Sequence, residues 1–352
     1  MTTLKEAGVD IAKGDSASRS AFLYAQKTFL ARQGLIGEPL AEEGGFTGLL
    51  DFGDFYLAMN ADGVGTKIEL ARQIQYFEGL GYDLLAMVAD DAVCVGAETV
   101  SLTNTFDTDK VRQGEIEKMM QSLSKACIEQ SVVIAGGEIA EMNTLCNGTM
   151  WNSTANGIVK KDKIIDSKNV QEGDTVITLY EEGLRSNGFS LVRKIIADHD
   201  LGQECIKKSL LPSQVYSDAV LHLHGRNDEP KKVNIKAIAH ITGGGIAGNL
   251  CRALKKNRLG ARLEDIYEPS DWVKELQKIG GVEDKEAYNT WNMGNGMMII
   301  IDYKDADKAL ELLKEKDIKA KKAGVITKNP QILIRNHGVN KSEKNLIFEG
   351  SC

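Results

Sequence analysis

Apolar positions in this 352-residue chain recur with two alternating periods, one near 2 and one near 3.6. Short apolar or β-branched runs at 55–59, 99–106, 132–135, 149–159, 174–179, 235–241, 298–302 and 322–326 predict strands. Helical spacing marks 18–33, a segment starting at Ile68, 110–130, 189–197, 246–254 and 306–315. In 110–130 the apolar stripe is Ile116, Met119, Met120, Leu123 and Cys127; in 189–197 it is Leu191, Val192, Ile195 and Ile196. Residues 82–97 are apolar nearly all round, which predicts a buried helix. A polar seam at 160–172 separates two mixed halves. The pattern predicts an α/β (α+β) protein with domains at 1–165 and 166–335. Beyond 336 the apolar pattern fades, so 336–352 is expected to be a loose tail, with 345–348 available as a short extra strand.

Polar residues interrupt this pattern where strands end. The first strand runs into Asn60-Ala61-Asp62-Gly63-Val64-Gly65-Thr66-Lys67. A strand end carrying a carboxylate, glycines, a hydroxyl and a lysine is where α/β proteins handle phosphates. The glycine spacing is not that of a Walker A loop, and a tight turn accounts equally well for the same residues. Gly44 and Gly45 open a second flexible loop, read either as surface or as a cover over a nucleotide. The strand at 132–135 leads into Gly136, Gly137 and Glu138. Arg185, Ser186 and Asn187 precede the helix at 189–197, where they suit a helix cap or a phosphate site. Thr242, Gly243, Gly244 and Gly245 separate a strand from a helix and form a better phosphate cradle, with His240 just before it. That histidine is read either as a structural residue or as a catalyst. Glycine-rich segments in both halves predict a site in the cleft between them.

The predicted buried helix carries Asp90 and Asp91. Asp91 shares a face with Leu84, Val88 and Val95, and an ionised carboxylate there is costly unless paired. No Lys or Arg lies within a helical turn of it, which favours a bound cation over a local salt bridge.

Composition narrows the function classes. The net charge of −7 and the absence of a basic block argue against a nucleic-acid-binding protein. No apolar run approaches the roughly 20 residues of a membrane span, and the first residues do not form a secretory signal. Six dispersed cysteines without a CxxC pair fit reduced thiols and a cytoplasmic location.

Seven motifs occur in an order that resembles one family. They are Ala7-Gly-Val-Asp-Ile11, Asp62-Gly-Val-Gly-Thr-Lys67, Asp91 with Gly96-Ala97-Glu98, Gly136-Gly-Glu-Ile-Ala-Glu-Met142, Ser186-Asn-Gly-Phe-Ser-Leu-Val-Arg193, His240-Ile-Thr-Gly-Gly-Gly245 and Asn292-Met-Gly294. Together they resemble phosphoribosylformylglycinamidine cyclo-ligase, also called aminoimidazole ribonucleotide synthetase, over residues 5–335. The resemblance implies two α/β domains, the first sharing a β-barrel across a homodimer. It implies an ATP- and Mg²⁺-dependent step of purine biosynthesis. The formyl amide oxygen of formylglycinamidine ribonucleotide is phosphorylated, a nitrogen attacks the activated carbon, phosphate leaves and the imidazole ring closes. It further implies that Asp62, Asp91 and Glu138 hold Mg²⁺, a hard cation preferring oxygen. Gly63, Gly65, Thr66, Lys67, Gly136 and Gly137 would meet the nucleotide. Gly44, Gly45, Arg185, Ser186, Asn187, Thr242, Gly243 and Gly244 would hold the substrate. Lys67, Asp91 and His240 are the expected catalytic residues, His240 by assisting proton transfer.

The chain departs from the family pattern at four places: Ala61 stands for Thr, Asp90 for Asn, Thr99 for Pro and Arg185 for His. Arginine binds phosphate but is no base at neutral pH. Other superfamily members remain as alternatives. A selenophosphate synthetase needs a reactive N-terminal Cys or selenocysteine, whereas the first Cys here is Cys94. A hydrogenase-maturation carbamoyl dehydratase ends in a functional cysteine, as this chain ends in Cys352, but the local sequence differs. A thiamine monophosphate kinase matches the second-half motifs less well. A catalytically inactive nucleotide-binding relative is the reading outside enzymology.

Overall fold

The computed structural model describes residues 2–40 and 45–349. Its first half contains α1 (Ile11–Phe29), β1 (Glu38–Leu40), β2 (Gly48–Asp51), β3 (Phe55–Gly63), α2 (Lys67–Ile74), α3 (Leu80–Val93), β4 (Glu98–Thr108), α4 (Gln113–Glu129), β5 (Val133–Glu141) and β6 (Thr149–Lys160). The strands form one mixed sheet ordered β1-β2-β3-β6-β4-β5, in which only the β4–β5 pair is parallel. Along β6, Thr149, Trp151, Ser153, Ala155, Gly157 and Val159 are buried while their neighbours are less so, the period of a strand with one covered face. That face carries α3 and α4. The sheet is open within one chain, with β1 and β5 as its edges.

The second half contains β7 (Thr175–Tyr180), α5 (Phe189–Asp198), α6 (Gln203–Ser209), α7 (Ser217–His224), β8 (Ile235–His240), α8 (Gly245–Leu254), β9 (Gly260–Leu263), α9 (Asp271–Ile279), α10 (Asp284–Thr290), β10 (Asn295–Ile301), α11 (Ala306–Glu315), β11 (Ala320–Thr327), β12 (Ile332–Arg335) and β13 (Asn345–Phe348). Its sheet runs β13-β12-β9-β11-β7-β10-β8. Every residue of β10 is buried, because α5, α8 and α9 cover one face and α7 and α11 the other. Residues 336–349 are better ordered than their composition suggests. β13 pairs with β12, and Asp284 accepts hydrogen bonds from Asn336, Asn340 and Lys341.

Helix α3 is the central element. Twelve of its fourteen residues are buried, Asp83 and Asp90 among them, which leaves these two acids no recourse to bulk water. Its residues contribute to four separate apolar clusters, which reach into both sheets. Gly81 allows α4 to cross closely: a Cβ there would lie 2.0 Å from the Leu123 nitrogen.

The expected elements are present, with two corrections that matter for the site. β3 continues to Gly63 and β5 to Glu141. Asp62, Gly136, Gly137 and Glu138 are therefore strand residues paired in the sheet, not members of loops at strand ends.

The connection between the halves is fastened by buried polar groups. Lys163 Nζ donates to the Gly225 and Arg226 carbonyls. His224 Nε2–H donates to the Lys163 carbonyl at 2.6 Å. Burial lowers the His224 pKa to about 4, with the Lys163 carbonyl opposing the shift. The unfolded chain therefore binds a proton between about pH 6.5 and 4 that the native state refuses, so stability falls with pH across that window. In urea unfolding, wild type should lose on the order of 3 kcal/mol more than His224→Gln between pH 7 and pH 4. A difference between the two proteins that does not change with pH would refute this assignment.

Candidate functional site

The three carboxylates of α3 meet three different partners. Asp83 pairs with Lys67 Nζ at 2.7 Å and accepts from the Ser213 N–H at 2.9 Å. Asp90 pairs with Arg185 Nη2 at 2.6 Å and accepts from the Tyr216 N–H at 2.9 Å. Asp91 accepts from His240 Nδ1 at 2.7 Å. Of the three, only Asp91 keeps some exposure.

Asp62 lies near enough to Asp91 to feel its charge. It lies opposite Ser153 and in line with Asn104, both buried beneath the helical layer, so it shares their face of the sheet. Crowding by the cleft walls raises its pKa to about 6; the Gly63 N–H pulls the other way and Asp91 adds to the rise. Asp62 keeps contact with water, so its closeness to Asp91 matters more than the size of that shift. Burial lifts Asp91 to about 7, against the influence of Arg252 and Arg185. A carboxylate whose ionisation is hindered by a neighbouring one makes, with it, a pair that suits a divalent cation with oxygen ligands.

Glu138 does not join them. It pairs with Thr105, which lies opposite Asn152 and so in line with Gly63, on the face away from the helices. Three strand spacings, roughly 14 Å, also separate β5 from β3. Its Oε1 accepts from the Ile139 N–H. Among the described residues no three His, Cys, Asp or Glu side chains converge at metal-binding spacing. Gly136 and Gly137 serve the sheet: a Cβ on Gly137 would lie 2.5 Å from the Asn104 carbonyl oxygen.

Lys67 is also displaced from its expected role. Its ammonium is fully buried and directed to Asp83 and to the carbonyls of Arg185 and Leu211, at 3.0 and 2.7 Å for the latter two. These three acceptors take its three protons, leaving none for a phosphate. Arg185 is likewise fully buried, not at a substrate surface. Gly65 approaches the second half, where a Cβ on it would lie 3.6 Å from the Ser186 carbonyl oxygen.

From the second half, Ser186 and Asn187 form the turn into α5. The helix is capped by Gly188 without a side-chain hydrogen bond, so neither residue fills the capping role. Ser186 Oγ and Asn187 Oδ1 are buried with no hydrogen-bond partner among the described residues. Buried polar atoms in that condition mark a place for a ligand or water. Asn187 meets the Thr242–Gly244 turn, its Nδ2 lying 3.6 Å from where a Gly243 Cβ would be. Asn249 holds that turn by donating to the Gly243 and Gly245 carbonyls at 3.2 and 2.8 Å. Gly245 has φ 63°, and a Cβ there would lie 1.8 Å from the Tyr288 carbonyl oxygen, so the turn requires glycine.

His240 is fully buried, and burial together with Arg185 lowers its pKa to about 3. Its Nδ1 meets Asp91 and its Nε2 meets Arg185 at 2.9 Å. With both nitrogens engaged it is not placed to exchange a proton with substrate. Arg252, Glu181, Tyr216 and Asn249 were not singled out from the sequence. Arg252 donates to the Gly45 carbonyl at 3.1 Å and lies over the Phe46 ring, which ties this loop to α8. An arginine inside an apolar helical pattern was the available signal. Gly44 lies outside the described residues.

Comparison with known proteins accords with this arrangement. Residues 45–159 match the AIR synthase related protein, N-terminal domain, and residues 171–335 its C-terminal domain. The chain is 35% identical to phosphoribosylformylglycinamidine cyclo-ligase of Pyrococcus furiosus, over 96% of this chain and 99% of that one. It is 36% identical to the enzyme of the same name from Finegoldia magna, over 93% and 96%. Among solved structures, hydrogenase maturation protein HypE in complex with ATP superposes with a TM-score of 0.63 at 17% identity, covering 83% of this chain and 84% of that one. T. maritima PurL complexed with FGAR gives 0.64 at 13% identity, covering 92% and 49%. These two likenesses concern the fold.

The Lys67–Asp83 pair yields a test. Lys67→Met strands a buried carboxylate and should destabilise the protein by roughly 3–5 kcal/mol in urea unfolding. The Lys67→Met/Asp83→Leu double variant should lose less than the Lys67→Met single variant. Unchanged stability in the single variant would return Lys67 to the phosphates.

Proposed function

The chain belongs to the phosphoribosylformylglycinamidine cyclo-ligase family, and we propose that the cleft beside α3 carries out the ATP-dependent ring closure this name denotes. The observation that carries the reading is the meeting of two poles. Asp62 and Asp91 supply two neighbouring carboxylates from the first half. The second half supplies the buried, unpartnered oxygens of Ser186 and Asn187, with Asn187 adjoining the Thr242–Gly244 turn.

In this reading ATP phosphorylates the formyl amide oxygen of formylglycinamidine ribonucleotide. The neighbouring nitrogen attacks the activated carbon, and the products are ADP, phosphate and aminoimidazole ribonucleotide. Phosphoryl transfer of this kind rests on positioning and charge neutralisation. Asp62 and Asp91 fit Mg²⁺ by chemistry, since both are hard oxygen donors whose charge needs a counter-ion. Mg²⁺ would supply neutralisation of the triphosphate. Gly63, Gly65 and Thr66, at the mouth of the same cleft, are assigned to the phosphates. Ser186, Asn187 and Thr242–Gly244 are assigned to the ribonucleotide. Arg252 orients the loop at Gly45 over that end. Lys67, Arg185 and His240 build the walls and do not touch substrate.

A second copy of the chain is assigned to the helix-free face of the first sheet. Met59, Val133 and Met150 are exposed there, and an open apolar sheet face calls for a cover. Glu138 belongs to that face and not to the cation pair.

Two measurements test this reading. With ATP, Mg²⁺ and formylglycinamidine ribonucleotide, ADP and aminoimidazole ribonucleotide should form one for one, and Asp62→Asn should lower the rate by roughly 100-fold or more. Absence of substrate-dependent ADP would end the cyclo-ligase reading. For the sheet face, Met59→Glu/Met150→Glu should elute as a monomer where wild type elutes as a dimer; identical elution would place the partner elsewhere.

A further inference from the structure

Arg185 occupies an unusual position. Its backbone is left-handed, with φ 57°, a conformation non-glycine residues adopt only where their surroundings enforce it. Its side chain is fully buried and its terminal N–H groups are all engaged. Nη1 donates to Glu181 at 2.9 Å and to the Gln214 carbonyl at 2.8 Å. Nη2 donates to Asp90 at 2.6 Å and meets His240 Nε2 at 2.9 Å. Tyr216 lies beneath the guanidinium, 5.1 Å from ring centre to Cζ. Positions 90 and 185 are two of the four at which the sequence departs from the family pattern, and they touch.

A guanidinium donates and never accepts. The contact with His240 Nε2 therefore requires a lone pair on that nitrogen. The single ring proton then resides on Nδ1, which is the atom 2.7 Å from Asp91 Oδ1. Had the ring carried its proton on Nε2, two donors would oppose each other at one end and two acceptors at the other. We propose that Arg185, held by Asp90 and Glu181, is a positioning residue that locks His240 as the Nδ1–H tautomer and thereby pins one oxygen of Asp91, leaving the other directed to the cleft beside Asp62. The role of Asp91 toward Mg²⁺–ATP in this proposal rests on the cyclo-ligase reading; the tautomer does not.

The order Arg185–His240–Asp91 also explains why Asp90 is acidic here. A buried guanidinium needs a counter-ion, and Asp90 on the adjacent turn position of α3 supplies it without consuming Asp91. Outer partners of this kind typically contribute 10- to 100-fold to the affinity of a metal site.

The test uses the full-length protein. In ¹⁵N–¹H correlation spectra of the ligand-free wild type, the His240 signal, assigned by its loss in His240→Gln, should show an unprotonated Nε2 and a protonated Nδ1. A proton on Nε2, or on both nitrogens, overturns the proposal. In Arg185→Gln/Asp90→Asn, whose amides can donate or accept, the fixed tautomer should be lost and Mg²⁺–ATP binding by calorimetry should weaken about tenfold. Arg185→Lys keeps a donor-only cation and should retain the tautomer and more of the affinity. An unchanged tautomer with binding within twofold in the folded double variant would overturn the proposal; if the double variant fails to fold, Arg185→Lys and the wild-type spectrum decide it. Failure of the cation reading looks different: Asp91→Asn would then bind Mg²⁺–ATP as wild type does, with the His240 tautomer intact.

Discussion

The structure depends on burying an acidic helix. α3 is enclosed on nearly every side, yet carries Asp83, Asp90 and Asp91. An ionised carboxylate removed from water destabilises the fold by several kcal/mol unless something compensates it. The partners of these three groups come from three separate parts of the chain: Lys67 at the start of α2, Arg185 in the turn after β7, and His240 at the end of β8. Satisfying one helix therefore fixes the first strand–helix turn and two elements of the second half against a single frame. The apolar clusters around α3 provide the driving force, while these polar contacts set the register.

Compensation is deliberately incomplete at one end. Asp83 and Lys67 neutralise each other. Arg185 serves both Asp90 and Glu181. Among the described residues, Asp91 accepts from a neutral imidazole and Asp62 from the Gly63 N–H at 2.7 Å. Two acidic groups are thus brought together, with the charges of Arg252 and Arg185 both acting on Asp91. Such a pair opposes folding in the absence of a cation, and sites that hold ligands commonly retain strain of this sort. The oxygens of Ser186 and Asn187, unpartnered among the described residues, add a further buried polar cost from the second half.

Much of this was legible in sequence, but not all for the right reason. The buried character of α3 and the need of Asp91 for a partner followed from apolar periodicity. What periodicity could not reveal was that the partner lies 149 positions away, as a histidine on a strand of the other half. Lys67 and Glu138 misled for related reasons. A lysine after a glycine turn resembles a phosphate ligand until a buried acid, Asp83, claims it. Glu138 follows two glycines that suggest a loop, yet the strand continues through them, and sheet alternation then turns its side chain to the face opposite Asp62. Residues 345–348 read only as an available short strand and 332–335 are not among the predicted strands, because each is only four long; their pairing with one another supplies what neither local sequence contains.

The charged pair at Asp90 and Arg185 is best understood through direction and not through energy. A buried ion pair is poor evidence of added stability, because desolvation offsets most of the attraction. An imidazole or an amide in the place of Arg185 could donate or accept, and the ring of His240 could then adopt either tautomer. A guanidinium has one hydrogen-bonding sense. Placed at Nε2, it transmits that sense through the ring to Nδ1 and on to Asp91, so the carboxylate is oriented before any ligand arrives. Groups that stabilise developing charge work best when they need no reorganisation at the moment of reaction. The left-handed backbone at residue 185 and the second acid, Glu181, are then parts of the same device: the first aims the guanidinium, and the second keeps it charged without drawing Asp91 away from the cleft.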